Sequence, residues 1–512
     1  MKPRSASRRR FSGVAFGGLL ALGLRAAPCA AQEAPASHED NAAFLYTEPM
    51  ETHYLRPMLE ELAALLLGLG QYYSARETNS LDWDNTYDWS GLESKLDGSG
   101  YSFDTNYFDT NFLSHPGSGT VYYWAARGNR MSVLSALAFA FASSAVWEYA
   151  GEFREQVSVN DLFVTPLAGM AIGETTTQLG AFFDRSCDTT PNRLLGTLFG
   201  PSKTAHDLVD GAKLARTATC DRYGLAQSGE HRFALHSGGA AVFQHDGRSV
   251  GETRFGLGMS VKNLSTWHRA GRGLETFEDG NVAELSASAA LAAGGFSDFR
   301  LAVRNVPAGI HFHDTKPDTR RREVLFGPVI RATYTAHRFD RDRAPLDHAF
   351  TIDAPAVAIE YVEETPGVRL DASLDAGGSF GGVDSLARAR YLTQGDLETL
   401  PSVAGTRGYN HVVGLVLSPR LRLTTSHVEL GAQLDTHRLW SIRFLDRYPD
   451  RGPFTPASDS LRRGALWLGL GARSFPPRVV IFADVIEHES KVGNDTEKRR
   501  EVGTGVALQS VL

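Results

Sequence analysis

The chain has 512 residues, with 52 Lys and Arg against 59 Asp and Glu and a formal net charge of −7. That length allows more than one domain, and the charge balance excludes a large basic footprint for nucleic acid. Cysteine is scarce at three residues, glycine is abundant at 51, and no stretch reads as a strongly hydrophobic membrane helix.

The first 31 residues read as an export signal. A basic segment, MKPRSASRRRF, precedes a short apolar core at 12–24, and Pro28-Cys29-Ala30-Ala31 offers small residues for cleavage after Ala31. The apolar core is too short for a permanent anchor. Ser7-Arg8-Arg9-Arg10-Phe11 has the pattern of a twin-arginine signal, and an Arg-rich general secretory signal is the alternative. Once this segment is removed, only Cys187 and Cys220 remain. An exported compartment permits them to pair, closing a loop worth roughly 3–4 kcal/mol. A metal or redox pair would want a CxxC spacing, which is absent.

Residues 32–80 form a polar linker followed by an amphipathic helix. Leu55, Leu59, Leu62, Leu66 and Leu69 recur there at spacings of three and four. Residues 81–222 form a helical domain. Its approach, 78–114, carries the repeat Asp104-Thr-Asn106 and Asp109-Thr-Asn111, which reads as turn chemistry rather than a calcium loop. Two Ala/Gly/Ser-rich helices follow at 131–150 and 161–184. Gly169 and Gly173, four apart, allow close helix approach. Asn160 or Asp161 caps the second helix, or Thr165 does so with Pro166 as its first residue. A further helix is expected from Pro191 to about Leu214, capped by Thr190.

From about Arg232 the period changes to two. Residues 428–435 (VELGAQLD) and 368–376 (VRLDASLDA) alternate cleanly. Similar segments lie near 232–243, 252–264, 282–294, 298–312, 323–337, 350–362, 411–423, 464–474, 479–488 and 499–511. That makes about twelve strands, many long enough to cross a bilayer when tilted. The fold class expected is α+β: an N-terminal helical domain, then an antiparallel β-barrel of outer-membrane type over 230–512. A soluble periplasmic β-sandwich or barrel is the alternative.

Seven polar residues stand at the edges of the apolar helices: His115, Arg127, Asn129, Glu148, Asn160, Asp161 and Glu174. The patterns HPxxGxxYYxxAR from His115, WEY at Trp147 and SxNDxxxTPxxGxxxGE from Ser158 resemble an uncharacterised bacterial family, domain of unknown function 3943. The resemblance covers roughly residues 85–215. It implies an exported envelope protein and no established activity.

Two readings of the polar set follow. In the first, Tyr122, Arg127, Asn129 and Asn160 join the carboxylates in a polar seam that docks the helices together or into a barrel lumen. Glu148 then pairs with Arg127, and Glu174 satisfies a group such as Tyr122. In the second, His115, Glu148, Asp161 and Glu174 converge as a catalytic set, by general acid/base chemistry or by holding a divalent cation. No cofactor is otherwise expected, and no nucleophile motif is present; Ser143, Ser144 and Ser158 are near only in sequence.

The first reading makes the chain an outer-membrane barrel with a periplasmic or barrel-plugging helical domain, in a structural or transport-related role. Outer-membrane lipid is then its partner. The second makes it an enzyme acting on envelope lipid or glycan. A third option puts the helices in the inner membrane and the strands in the periplasm.

Overall fold

A computed structural model describes residues 45–79, 89–217, 219–227, 229–244, 247–339, 346–393, 395, 397–447, 454–471 and 477–511. The export signal lies outside the described residues. The helices are α1 (Leu55–Asn79), α2 (Trp89–Asp97), α3 (His115–Gly128), α4 (Val133–Val146), α5 (Val159–Arg185), α6 (Thr190–Phe199) and α7 (Pro201–Asp210). A short parallel bridge joins β1 (Tyr101–Ser102) to β2 (Val157–Ser158).

The strands follow as β3 (Glu230–Phe243), β4 (Ser249–Lys262), β5 (Gly271–Phe277), β6 (Val282–Ala292), β7 (Gly295–Val306) and β8 (Gly309–Lys316). They continue as β9 (Arg320–His337), β10 (Asp347–Thr365), β11 (Val368–Asp384), β12 (Tyr409–Thr425) and β13 (Val428–Ser441). The last three are β14 (Ala457–Leu470), β15 (Arg478–Val492) and β16 (Asp495–Val511).

Twelve of these strands close a ring. Strand β16 pairs with β3 and β9 with β10, so the antiparallel order β3-β4-β6-β7-β9-β10 continues through β11 to β16 and returns to β3. The twelve-stranded barrel expected from the period-two pattern is present. One segment departs from the expectation. The run read as a single strand at 298–312 breaks after Val306, and β8 pairs with β5 and the start of β9 in an added flap. Strand β5, GRGLETF, lies in a segment where no strand was expected.

Burial along the strands is inverted relative to a soluble protein. On β13, Glu429 is 1 % exposed while its neighbour Leu430 is 53 % exposed. Charged residues face the lumen and bond across it. Arg331 on β9 reaches Asp435 on β13, four strands away around the ring. Arg304 on β7 holds Asp375 on β11 and Glu360 on β10. Arg232 on β3 meets Glu429 on β13, and Arg463 on β14 meets Asp298 on β7. A cavity of about 400 Å³ remains among these groups. Outward positions such as Leu415, Leu421, Leu466, Ile481 and Leu508 are exposed and apolar.

Strand alternation fixes where the helices sit. Arg331 and Asp353 are register partners and face the lumen, so Ile330, Ala332 and Ile352 must point outward. Those outward residues share a core with Phe112, Tyr123, Val164, Ala168 and Ala171 of the helical part. Near the other end of α5, Leu179, Phe182 and Phe183 pack on outward Phe233, Met259 and Val261. The helices therefore lie on the outer wall. The expected alternatives, a plug in the lumen or a cap on one mouth, are not what the packing gives. The 27 residues of α5 extend ~40 Å, the height of the wall.

Local sequence explains how α3 and α5 meet. A Cβ on Gly119 would sit 1.8 Å from the Thr165 carbonyl oxygen, and one on Gly169 would meet the Gly119 backbone at 2.3 Å. Gly173 makes room for the Tyr123 ring in the same way. The α5 cap is Ser158, whose hydroxyl accepts from the Asp161 N–H, rather than Asn160, Asp161 or Thr165. The helix expected over 191–214 is two, α6 and α7, divided at Gly200, and its cap is Thr189 rather than Thr190. Among the described residues, one helical stretch, Val133–Gly151, is long and apolar enough to cross a membrane by length and composition. Cys187 and Cys220 form a disulfide with Cα atoms 6.1 Å apart.

Candidate functional site

Three of the four residues expected to converge do so, and one does not. His115 is the first residue of α3, Asp161 lies in the first turn of α5, and Glu148 sits in the wide turn Trp147–Gly151 that ends α4. His115 Nε2 stands 3.5 Å from Asp161 Oδ1. Glu148 Oε2 accepts from the Ser158 N–H at 2.7 Å, which ties the end of α4 to the start of α5. Glu174 is 13 residues further along α5, ~20 Å away.

Asp104 takes the place expected for Glu174. One ligand atom each from Asp104, His115 and Asp161 lie within 4.8 Å of one another. Asp104 Oδ1 accepts from Asn111 Nδ2 at 2.5 Å and Asn160 Nδ2 at 3.2 Å, and its Oδ2 accepts from Asn106 Nδ2 at 2.6 Å. Asn160 Nδ2 also donates to Asp161 Oδ1 at 2.9 Å. The repeat Asp104-Thr-Asn106 and Asp109-Thr-Asn111 was the sequence signal for this arrangement. Its amides orient a buried carboxylate rather than merely shaping a turn.

The site is acidic and buried. Asp104, Glu148 and Asp161 are buried, and Glu152 and Glu155 are close behind. Lys95 on α2, not singled out by the sequence, donates to the carbonyl oxygens of Glu148 and Glu152 at 2.6 and 2.8 Å. Asp161 Oδ2, Glu148 Oε1 and His115 Nε2 are buried atoms with no hydrogen-bond partner among the described residues. Two of the three nearby serines are engaged with backbone. Ser158 caps α5, and the Ser144 hydroxyl donates to the Asp161 carbonyl oxygen.

Glu174 belongs to a separate seam. It accepts from Arg127 Nε at 2.7 Å, Arg127 Nη2 at 3.1 Å, Tyr123 OH at 2.8 Å and Gln178 Nε2 at 2.7 Å. Arg127 thus pairs with Glu174 and not with Glu148, and the tyrosine involved is Tyr123. Tyr122 packs instead with Leu65 and Ala140. Asn129 closes α3 by donating to the Ala125 carbonyl oxygen at 2.8 Å and to Glu60 at 3.1 Å.

These features define a closed twelve-stranded antiparallel barrel, the fold of outer-membrane barrels, with a helical module on its outer wall that carries a buried acid–histidine site. Residues 100–202, within that module, match the model of the family described as Domain of unknown function (DUF3943). No curated protein matches the chain.

Among solved structures, the translocator domain of autotransporter NalP from Neisseria meningitidis is similar at 9 % identity and TM-score 0.21, over 56 % of this chain and 89 % of that one. A NanC porin is similar at 10 % identity and TM-score 0.24, over 53 % and 98 %. A Pseudomonas aeruginosa FadL homologue is similar at 8 % identity and TM-score 0.23, over 55 % and 90 %.

Proposed function

We propose that this chain is an outer-membrane barrel that holds its helical module in the bilayer against the barrel wall, in a structural or transport-related role. The carrying observation is the inverted burial of the strands, with ion pairs inside and exposed apolar residues outside. A lipid bilayer is the environment in which such an outer surface costs nothing. The module shares that character: α1 exposes Leu55, Met58, Leu59, Leu62 and Leu66, and α4 exposes Leu134 and Val146. Outer-membrane lipid is the partner this surface fits.

Inside, the pairs that bridge the lumen close it to free diffusion, so passage of a solute requires them to part.

Density separation of cell membranes tests the location. The protein should travel with the outer membrane and run faster on a gel unheated than heated. Recovery in the inner membrane, or one mobility in both states, contradicts the reading.

A second reading, an envelope lipid- or glycan-modifying enzyme, is favoured by the meeting of His115 with Asp161 and Glu148. A folded His115→Ala barrel that loses an envelope phenotype supports it; one that keeps the phenotype removes it.

A further inference from the structure

The geometry points to a divalent transition-metal site formed by Asp104, His115 and Asp161, at the junction of the β1 loop, α3 and α5. This inference stands apart from the location of the barrel. Two ligands at ~2.1 Å from a tetrahedral ion lie roughly 3.4 Å apart. His115 Nε2 and Asp161 Oδ1 are 3.5 Å apart, and a ligand atom of Asp104 joins them within 4.8 Å.

Three independent observations support a cation there. First, Asp161 is 2 % exposed, yet its Oδ2 has no hydrogen-bond partner. Leaving a buried carboxylate oxygen unsatisfied is costly, and a coordinated ion removes that cost. Second, the His115 Nε2 nitrogen faces these carboxylates without bonding to any of them. A ring nitrogen held at that separation suits a shared ion better than a direct bond. Third, the carboxylates are already oriented from behind, by Asn106, Asn111 and Asn160. Such outer partners fix the ligands of metal sites.

The donor set narrows the ion. One imidazole with two carboxylates and no thiolate suits Zn²⁺, Mn²⁺ or Fe²⁺. Three protein ligands leave a coordination position for water, and His115, at 15 % side-chain exposure, is the ligand nearest the surface.

The test uses the full chain in detergent, stripped with a chelator, reloaded with ZnCl₂ and desalted before elemental analysis. One Zn²⁺ per chain is expected, with the dissociation constant raised at least tenfold in His115→Ala, Asp161→Asn and Asp104→Asn. His427→Ala, in an exposed turn, should bind as the parent does. Heat-dependent gel mobility reports whether the barrel of each variant is folded, and parental resistance of the helical module to protease reports that the fold around the site is kept. Co²⁺ loading of the unmodified chain gives a readout free of variants, as visible absorption bands from a nitrogen–oxygen site. Failure of the unmodified chain to retain Zn²⁺ or to develop those bands overturns the site. So does undiminished binding in a folded His115→Ala chain.

Discussion

Arg331 on β9 bonds Asp435 on β13 across the lumen, Nη1 to Oδ1 at 2.7 Å, while its Nε holds Asp353 on the adjacent strand at 2.6 Å. The guanidinium is 1 % exposed and touches Ser418 as well. One side chain thus joins β9 to β10, β12 and β13 inside the barrel.

Removing that bridge should do two things together. Arg331→Ala takes one cation from two buried carboxylates that keep other partners, His437 and Ser379 on Asp353 and Arg300 and Ser418 on Asp435, so the loss should fall below the roughly 3–5 kcal/mol of a fully broken buried pair. The substitution also opens the lumen. In planar bilayers the parent should conduct weakly, and Arg331→Ala combined with Arg304→Ala should conduct several-fold more, with a lower Tm. A parent that conducts as an open pore contradicts the closed lumen.

The Arg127–Glu174 pair carries the corresponding load between α3 and α5. Arg127→Met alone should destabilise the chain by about 3–5 kcal/mol, because Glu174 is left charged and buried. Adding Glu174→Leu should recover much of the loss. A double-mutant cycle on thermal unfolding measures it; two additive losses would mean the residues act independently.

Gly119 tests the close crossing. Gly119→Val must displace the Thr165 carbonyl by well over an ångström, and overpacking of this kind costs about 1–3 kcal/mol or more. Protease cleavage of the helical module should accelerate while the barrel keeps its heat-dependent mobility. An unchanged digestion pattern would mean that the helices do not meet there.

Much of this was legible in the sequence, for a physical reason. A strand that faces lipid on one side and a polar lumen on the other must alternate, so Val428-Glu429-Leu430 declares both strand and faces. The flap was not legible. Val306 and Gly309 lie in one apolar run, and only the pairing of β8 with β5 shows that the chain turns back between them. In the site, His115, Glu148 and Asp161 could be read because they border apolar helices. Asp104 could not, since Asp-Thr-Asn serves turns equally well. Glu174 was misplaced because its partners, Tyr123 and Arg127, are determined by which turn of α3 faces it.

Asp210 makes the anchorage of α1 pH-dependent. Its carboxylate accepts from Arg56 Nη1 at 2.7 Å and Arg130 Nη1 at 2.6 Å. The Arg56 hydrogen bond, with help from Arg130, holds its carboxyl well below the usual carboxylate range. A depressed folded-state value stabilises fully above the unfolded value of about 3.9 and is lost as the pH falls through the folded one. Asp210→Asn should therefore melt below the parent at neutral pH, and the gap should narrow below about pH 4. A gap unchanged to about pH 3 would exclude the ion pair as its source.

The central claim is that the helices lie on the outer wall, and Phe182 reports on it directly. Its ring stands 5.4 Å from that of outward-facing Phe233, whereas Arg232 points into the lumen toward Glu429. Cysteines at 182 and 233, joined by a short bifunctional maleimide in native membranes, should cross-link efficiently. The pair at 182 and 232 should not. Cross-linking at 232 in preference to 233 would put the helices inside the barrel and contradict the account.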